Sequence, residues 1–400
     1  MQRLWDKGGN LDAAILRFTV GQDHVLDERL VAFDARASAA HANMLAQQGY
    51  LSAEQAAQLG GALEAIAAEH ARGDWHIALE EEDCHTAIEA RLTQRLGELG
   101  GRIHLGRSRN DQVLAALRLY LLAVVDELHE QAGDVVEALD GLVQRQGDLA
   151  MPGYTHLQRA MPSTVELWAA AYASEIEDDR AGLLATRRRI AKNPLGSAAG
   201  YGVPVLKLDR HATAEALGFA EVQDPVTAVQ LSRGKAEAQL VFELVLLMQD
   251  IGRLAADLCL FASAEFAFVK LPAAFTTGSS IMPQKRNPDV FELLRARSSQ
   301  FPADLAAILA LTAKMTSGYH RDMQLLKEPL FRAIDQAQAV LAITAHALPG
   351  LEFQAQAMVA AMDRGLFATE AAYRLVQDEG VPFREAYRRV GAQFAGPGKP

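Results

Sequence analysis

The stretch ELVLLMQDIGRLAADLCLF, residues 243–261, carries apolar residues on more than one side of a helix. A helix that is apolar over more than one stripe must be buried on more than one side. The pattern therefore favours a central bundle assembled from several chains, with a large monomeric bundle as the alternative. One stripe of this helix recurs in steps of three and four: Ala236, Leu240, Leu244, Leu247, Ile251, Leu254 and Leu258.

Other stretches repeat the same period. A third helix is predicted from Val290, with a bend at Pro302. No alternating run of β-branched residues is long enough for a sheet. The sequence therefore predicts an all-α fold. In the longest of these other stripes, apolar residues recur in steps of three, four and seven: Leu114, Leu117, Leu121, Val124, Leu128, Val135, Leu139 and Leu142.

The 400-residue chain has a formal net charge of −11 and no offsetting basic run, which argues against a nucleic-acid partner. The small basic cluster at 187–189 is expected to be a solvated helix face. Cys84 and Cys259 lack the spacing of a disulfide framework or zinc site, and a reducing cytoplasm suits them. Neither a signal core nor a run able to span a membrane is present, so we expect a soluble protein with no membrane partner.

Five polar islands interrupt the apolar helices. Taken singly, each has a structural explanation: Asn110 as a helix cap, His156 as a surface histidine, Lys285 and Arg286 as solvated loop charges. Together they supply donors for carboxylates, with an imidazole and serines for proton transfer. The islands are EEDCHTAIEARL (81–92), GRSRNDQ (106–112), PGYTHLQRA (152–160), GSSIMPQKRNPD (278–289) and SGYHRDMQLLKEP (317–329).

These motifs resemble a known family. GSSIMPQKRNP is similar to the signature loop of the fumarase/aspartase superfamily, whose members eliminate fumarate. Within it, the set GRSRNDQ, PGYTHLQRA, IMPQK and KEPLF resembles the argininosuccinate lyase family. The resemblance runs from LWDK (4–7) to GVPFREAYRRVG (380–391). It implies β-elimination of argininosuccinate to arginine and fumarate in arginine biosynthesis, through abstraction of a Cβ proton and an aci-carboxylate intermediate.

The resemblance also implies an organisation. Family members form long-helix bundles completed by tetramerisation, with each active site drawn from three chains of a homotetramer. It implies no cofactor and no metal. We expect an N-terminal helical domain at 1–105, a central long-helix bundle with the catalytic loop at 106–345, and an abbreviated C-terminal helical region at 346–400.

The resemblance assigns catalytic roles to residues of this chain. Ser279 would be the general base, and Lys285 and Asn287 would stabilise the charge of the intermediate. His156 would be the proton donor or the organiser of a donor water, with Glu292 as its carboxylate partner.

A larger set would bind substrate, and either Arg107 or Arg109 could instead serve structure. His85 could equally be a histidine at a helix start that holds Glu89 or Asp83. The predicted binding residues are Arg107, Ser108, Arg109, Asn110, Thr155, His85, Asn287, Tyr319, Arg321, Gln324 and Lys327.

Two departures from the family pattern leave alternatives open. Asp23 stands where relatives usually have a serine that touches substrate, so it could face a guanidinium or an amino group. The glycine-rich GSAAGYG, residues 196–202, follows no strand and so is not a phosphate cradle. It resembles a loop that lines the site but differs from the usual form. The alternatives are a fumarate-releasing lyase for a different N-succinyl amine, or a catalytically silent structural homologue.

Overall fold

The computed structural model describes residues 12–394, so LWDK lies outside the described residues. Helices dominate, and the all-α prediction is confirmed. The α-helices are α1 (Ala13–Val20), α2 (Asp23–Leu26), α3 (Val31–Gln47), α4 (Ala53–Ala71), α5 (Cys84–Leu96), α6 (Glu98–Gly101), α7 (Arg109–Gln146), α8 (Val165–Ile190), α9 (Arg210–Leu217), α10 (Ala228–Leu231), α11 (Lys235–Phe261), α12 (Asp289–Ser298), α13 (Phe301–Thr312), α14 (Lys327–Ala347), α15 (Ala355–Ala360), α16 (Ala368–Glu379) and α17 (Phe383–Ala392).

Short strands pair two by two among these helices. β1 pairs antiparallel with β2, β3 pairs parallel with β4, and β5 pairs antiparallel with β6. The strands are β1 (Ala150–Thr155), β2 (Gln158–Thr164), β3 (Lys192–Asn193), β4 (Glu221–Val222), β5 (Val269–Lys270) and β6 (Glu352–Phe353).

The chain divides into two compact units, each built from separate segments. Unit 1 contains the described residues up to His129, with Ala181–Val245 and Phe301–Ala337. Unit 2 contains Glu130–Arg180, Leu246–Gln300 and the described residues from Gln338 onward. This grouping differs from the three consecutive domains expected from the sequence, which stay a proposal.

The predicted apolar stripes are buried. All eight positions of the α7 stripe are 3% exposed or less, and the seven positions of the α11 stripe are buried too. Burying one such side chain contributes about 1.5–3 kcal/mol, so these rows account for much of the core. On other sides of α11, Phe242 is 46% exposed and Leu246 is 37% exposed in the single chain.

The helix predicted from Val290 is broken rather than bent. α12 ends at Ser298 and α13 begins at Phe301, with Pro302 in its first turn. A proline there costs little, because the first backbone N–H groups of a helix have no partner within it. The prediction of one bent helix is therefore wrong.

Two adjacent glycines in α6 provide a test of packing. A Cβ atom at Gly100 would lie 2.4 Å from the backbone oxygen of Leu92, whereas one at Gly101 would meet nothing within 4 Å. We expect Gly100→Ala to destabilise the protein by about 1–3 kcal/mol, because backbone must move. Gly101→Ala should be neutral or stabilise by about 0.4–1 kcal/mol. Urea denaturation of both variants measures this, and equal stability of the two would contradict the packing.

Candidate active site

The GRSRNDQ island opens α7 in unit 1. The backbone N–H of Asn110 donates to Ser108 Oγ at 3.3 Å, and that of Ser108 donates to Asp111 Oδ1 at 2.9 Å. Ser108 thus caps the second residue of α7 with its side chain, and Asp111, the third residue, caps the backbone N–H of Ser108, as in a variant of the capping box. The cap is therefore Ser108, and the structural explanation that placed Asn110 there is wrong.

The two arginines of this island have different surroundings. Arg107 is buried, donates to Ser38 Oγ at 2.8 Å, and has its pKa lowered by burial. Arg109 is partly exposed, and its guanidinium contacts Thr86 at 2.6 Å and Asp83 at 3.1 Å. Arg109 is thus the better placed of the two to meet a solvent-borne carboxylate, whereas Arg107 is built into the interior.

His85 lies in the first turn of α5 and is 3% exposed. Its Nδ1 is 3.1 Å from Asp34, whose carboxylate also accepts from Gln112 at 3.1 and 3.2 Å. Burial alone would lower the pKa of His85, but the carboxylates of Asp34, Asp83 and Asp27, Asp34 foremost, together raise it above its usual range. The carboxylate in contact is therefore Asp34, rather than Glu89 or Asp83.

Lys327 begins α14 with its ammonium buried. Its Nζ lies 2.6 Å from Asp27 and 3.1 Å from Asp23. Burial would lower the pKa of Lys327, but the two aspartates raise it well above its usual range. Burial also raises the pKa of Asp23 to about 7, with Lys327 opposing and Asp27 reinforcing the change. The cation beside Asp23 in the structure is therefore Lys327 of this chain.

The segment before α14 carries Tyr319, Arg321 and Gln324. Arg321 and Gln324 both donate to the backbone oxygen of Thr19, at 3.0 and 2.9 Å. Arg321 also lies 3.8 Å from Glu82, the carboxylate that Arg109 approaches at 3.5 Å. One shared carboxylate, that of Glu82, thus links the fifth island to the first two within unit 1.

Tyr319 meets a residue outside the predicted set. The guanidinium carbon of Arg233 lies 5.9 Å from the centre of the Tyr319 ring, within the range of a cation–π contact.

The loop at 196–202 is anchored by a residue that the sequence reasoning missed. Asp111 Oδ2 accepts from the backbone N–H groups of Gly196 at 3.0 Å and Ala198 at 2.8 Å. Gly196 and Gly200 have φ of 82° and 112°, which favours glycine at both positions. The aspartate inside GRSRNDQ was the signal available for this contact, because a carboxylate that becomes buried needs hydrogen-bond donors.

Three side chains of different types that could ligate a metal ion also lie close together in unit 1. Atoms of Asp27, Cys84 and His85 lie within 4.8 Å of one another. Asp27 already binds Lys327, and burial, reinforced by the nearby aspartates, raises the pKa of Cys84 well above its usual range. A metal ion would have to displace both an ammonium and a thiol proton, so this donor set suits hydrogen bonding better than coordination.

Unit 2 presents Thr155 and His156 at the tip of the β1–β2 hairpin, which the sequence reasoning did not foresee. Thr155 pairs with Gln158 across the hairpin. The two linking residues, His156 and Leu157, have φ of 53° and 59°. Tight hairpins need this conformation, but Asn and Gly normally supply it. Both residues thus hold a costly backbone conformation, which functional sites often retain.

The Ser279 loop of unit 2 is closed at its base. Thr277 and Asn287 exchange two backbone hydrogen bonds, of 3.3 and 3.0 Å, and Asn287 Nδ2 donates to Thr277 Oγ1 at 3.4 Å. Ser279 Oγ accepts from the backbone N–H groups of Ile281 at 3.3 Å and Met282 at 3.1 Å. Two donors aimed at this oxygen would favour negative charge on it.

The remaining predicted residues of unit 2 point to solvent. Lys285 is exposed in the loop, and Glu292 is exposed on α12, the helix on which it was expected. Within residues 12–394, Glu292 forms no ion pair with His156, so that pairing stays a prediction. The structure thus brings most of the predicted binding residues together in unit 1, and in unit 2 it joins Ser279, Lys285 and Asn287 in one loop.

Comparisons with known proteins show which family and fold this chain resembles. A family model described as Lyase matches residues 12–302. The argininosuccinate lyase of Sorangium cellulosum (strain So ce56) is 48% identical over 98% of this chain and 91% of its own. That of Thermotoga neapolitana is 38% identical over 98% of both.

Solved structures are similar as well. EDDS lyase in complex with formate matches with a TM-score of 0.80 and 25% identity, covering 96% of this chain and 76% of that one. A class II fumarase from Schistosoma mansoni shares the fold, with a TM-score of 0.78 at 15% identity over 94% of this chain and 91% of its own. Both matches place this chain in the fumarase-like fold.

Among the helices of residues 12–394, none combines the length and the apolar character that crossing a membrane requires.

Asp23→Asn should change how stability depends on pH. Burial raises the pKa of Asp23 from 3.8 to about 7, so between these values the folded protein holds a proton that the unfolded chain releases. The contribution of Asp23 to the free energy of unfolding of the wild type therefore falls as pH rises through this window. The amide variant cannot ionise and should lack that fall. Urea denaturation at about pH 4 and about pH 8 measures the difference.

Asp322→Asn, at an exposed position, is the control and should keep the wild-type pH dependence. If Asp23→Asn lost stability with rising pH as steeply as the wild type, the assignment of the buried proton to Asp23 would be wrong.

Proposed function

The chain belongs to the argininosuccinate lyase family, and from that premise we propose that it splits argininosuccinate into arginine and fumarate in arginine biosynthesis. The observation that carries the proposal is 48% identity to an argininosuccinate lyase over 98% of the chain, with all five polar islands present in order. The reaction is a β-elimination that breaks a carbon–nitrogen bond.

Ser279 is the proposed general base. Its alkoxide form takes the proton from the carbon next to a substrate carboxylate, and the bonding electrons pass into that carboxylate as an aci-carboxylate. An alkoxide is a high-energy group in water, so it needs donors already in place. The N–H groups of Ile281 and Met282, at 3.3 and 3.1 Å from Oγ, supply them without side-chain reorganisation.

Lys285 and Asn287 would meet the charge that develops on the substrate. Lys285 is exposed and carries a positive charge six residues after the base, and the Asn287 amide is held at the base of the loop by Thr277. Stabilising charge that appears only in the transition state raises the rate, whereas equal binding of the ground state would not.

The second half of the reaction expels arginine. The electrons of the aci-carboxylate form the double bond of fumarate while the carbon–nitrogen bond breaks, and the leaving nitrogen takes a proton. We assign that proton to His156 or to a water that it orients, with Glu292 as partner. The exposed tip of a hairpin whose turn has two positive φ values supports this role, because strain persists where function requires it.

Residues of unit 1 would hold the substrate. The partly exposed guanidiniums of Arg109 and Arg321 suit the carboxylates of the succinyl half. Neutral hydrogen-bond donors would come from Ser108, Asn110, Tyr319 and Gln324. The charged groups around the site would be held by His85, Arg107 and Lys327. Thr155 of the hairpin completes the proposed binding set.

A different N-succinyl amine is the second candidate substrate, and Asp23 is the observation that favours it. An acidic group where relatives usually have serine would alter contacts to the amine half, unless Lys327 neutralises it. The 3.1 Å separation of Asp23 and Lys327 supports neutralisation, and so argininosuccinate remains preferred.

A homotetramer is the proposed assembly, with sites shared between chains and the three expected domains as its building blocks. Exposed apolar side chains on α11 support the assembly, because such side chains are usually covered. Two free cysteines support a cytoplasmic location.

Ser279→Ala should lower the rate of fumarate release from argininosuccinate by about 10²–10⁴-fold or more, the range of general acid–base catalysis. Its KM should change little, because the hydroxyl acts on the transition state. Absorbance of fumarate in the ultraviolet follows the reaction. Ser280→Ala, in the same loop, is the matched control and should retain most activity. Wild-type turnover in Ser279→Ala would remove this residue from the mechanism.

Mixing inactive variants tests whether sites are shared between chains. If Ser279 and His156 of one site come from different protomers, hybrids of Ser279→Ala and His156→Asn contain some sites with neither substitution. Unfolding and refolding the two variants together should therefore restore part of the activity. Each variant refolded alone is the control, and a mixture no more active than its components would count against shared sites.

A further inference from the structure

A polar cavity lies in unit 1, apart from the residues that form the proposed active site. It has a volume of about 510 Å³, within the range of small-molecule sites, which is about 300–1,000 Å³. The end of α8, Lys192 of β3 and the first turns of α11 contribute to its lining. Five lining residues are cations: Arg118, Arg188, Arg189, Lys192 and Lys235.

Arg118 is the buried member of this set. It is 2% exposed, and it donates to the backbone oxygen of Lys192 at 2.5 Å, to Gln223 at 2.6 Å and to Ser232 at 2.9 Å. Its Nε has no hydrogen-bond partner. Burial lowers the pKa of Arg118 to about 10, so the group keeps its charge at neutral pH. All three acceptors are neutral, whereas a buried guanidinium normally bonds a carboxylate.

Few carboxylates offset the cations. Among the described residues that line the cavity, none is an aspartate or glutamate. Glu221 binds Lys192 at 2.7 Å, and the buried Glu237 acts on Arg118 from nearby. Two carboxylates against the five lining cations leave about three positive charges, and the buried Arg233, which also acts on Arg118, adds another. This excess favours an anion with several charges.

We propose that this cavity binds a small polyanion with two or more phosphate groups. Guanidinium forks bind phosphate oxygens two at a time, and lysine ammonium groups add compact charge. A single phosphate would leave part of the positive charge without a counter-charge, whereas a di- or triphosphate offsets it. None of the residues assigned to argininosuccinate lines the cavity, so the proposal stands independently of the proposed reaction.

The proposal also gives a role to the basic cluster at 187–189. Arg188 and Arg189 are exposed, as expected of a solvated helix face, but they also edge the cavity. Arg187, one residue earlier, does not line the cavity and pairs with Asp126. Adjacent arginines of α8 therefore differ in whether they line the cavity, which is the property that the proposal requires.

Isothermal titration calorimetry of the full-length protein with pyrophosphate tests the proposal. We expect saturable binding that weakens with added salt but persists at about 0.15 M KCl. The double variant Arg188→Ala/Lys235→Ala should bind about tenfold or more weakly, because it loses two charge-assisted contacts. Both side chains are exposed, so these changes should leave folding intact, which circular dichroism checks.

Two controls locate the site. Arg187→Ala removes a neighbouring charge outside the cavity, and Lys285→Ala removes an exposed charge of the proposed active site; both should bind pyrophosphate like the wild type. Absence of binding, equal loss in Arg187→Ala or Lys285→Ala, or equal affinity for inorganic phosphate and pyrophosphate would each overturn the proposal. The readout is binding rather than turnover, so it can succeed or fail whether or not argininosuccinate is the substrate.

Discussion

The buried ammonium of Lys327 connects the beginning and the end of unit 1. It lies 2.6 Å from Asp27 and 3.1 Å from Asp23, across about three hundred residues of sequence. Taking such charges out of water costs several kcal/mol each, and removal of one partner leaves a buried charge worth about 3–5 kcal/mol of destabilisation. The cluster therefore fixes where α14 begins, and with it the segment that carries Arg321 and Gln324.

Neighbouring carboxylates hold other residues of the proposed binding set in place, as Asp23 and Asp27 hold Lys327. Asp34 holds His85, Glu82 lies near both Arg109 and Arg321, and Asp111 holds the 196–202 loop. If these cations bind substrate as proposed, they are held in position beforehand, which reduces the ordering cost of binding. In unit 2 the backbone positions the predicted catalytic residues. Two backbone N–H groups donate to Ser279 Oγ, and a strained turn holds His156.

Sequence reasoning succeeded where one period or one motif decides the outcome. The buried stripes of α7 and α11 follow from a 3.6-residue period, and the loop around Ser279 follows from glycine and proline, which disfavour helix. It failed where the deciding partner is distant in sequence, as Asp34 is for His85 and Asp111 for Gly196. It also missed the break before Pro302. It missed the hairpin around His156 because PGYTHLQRA lacks alternating β-branched residues.

The choice of substrate tests the proposed reaction most directly. Purified protein would be given argininosuccinate, adenylosuccinate, aspartate and malate in parallel, with fumarate measured by its ultraviolet absorbance. We expect fumarate from argininosuccinate alone, together with an equal amount of arginine. Fumarate from another member of the panel but not from argininosuccinate, or from none of the four, would contradict this expectation.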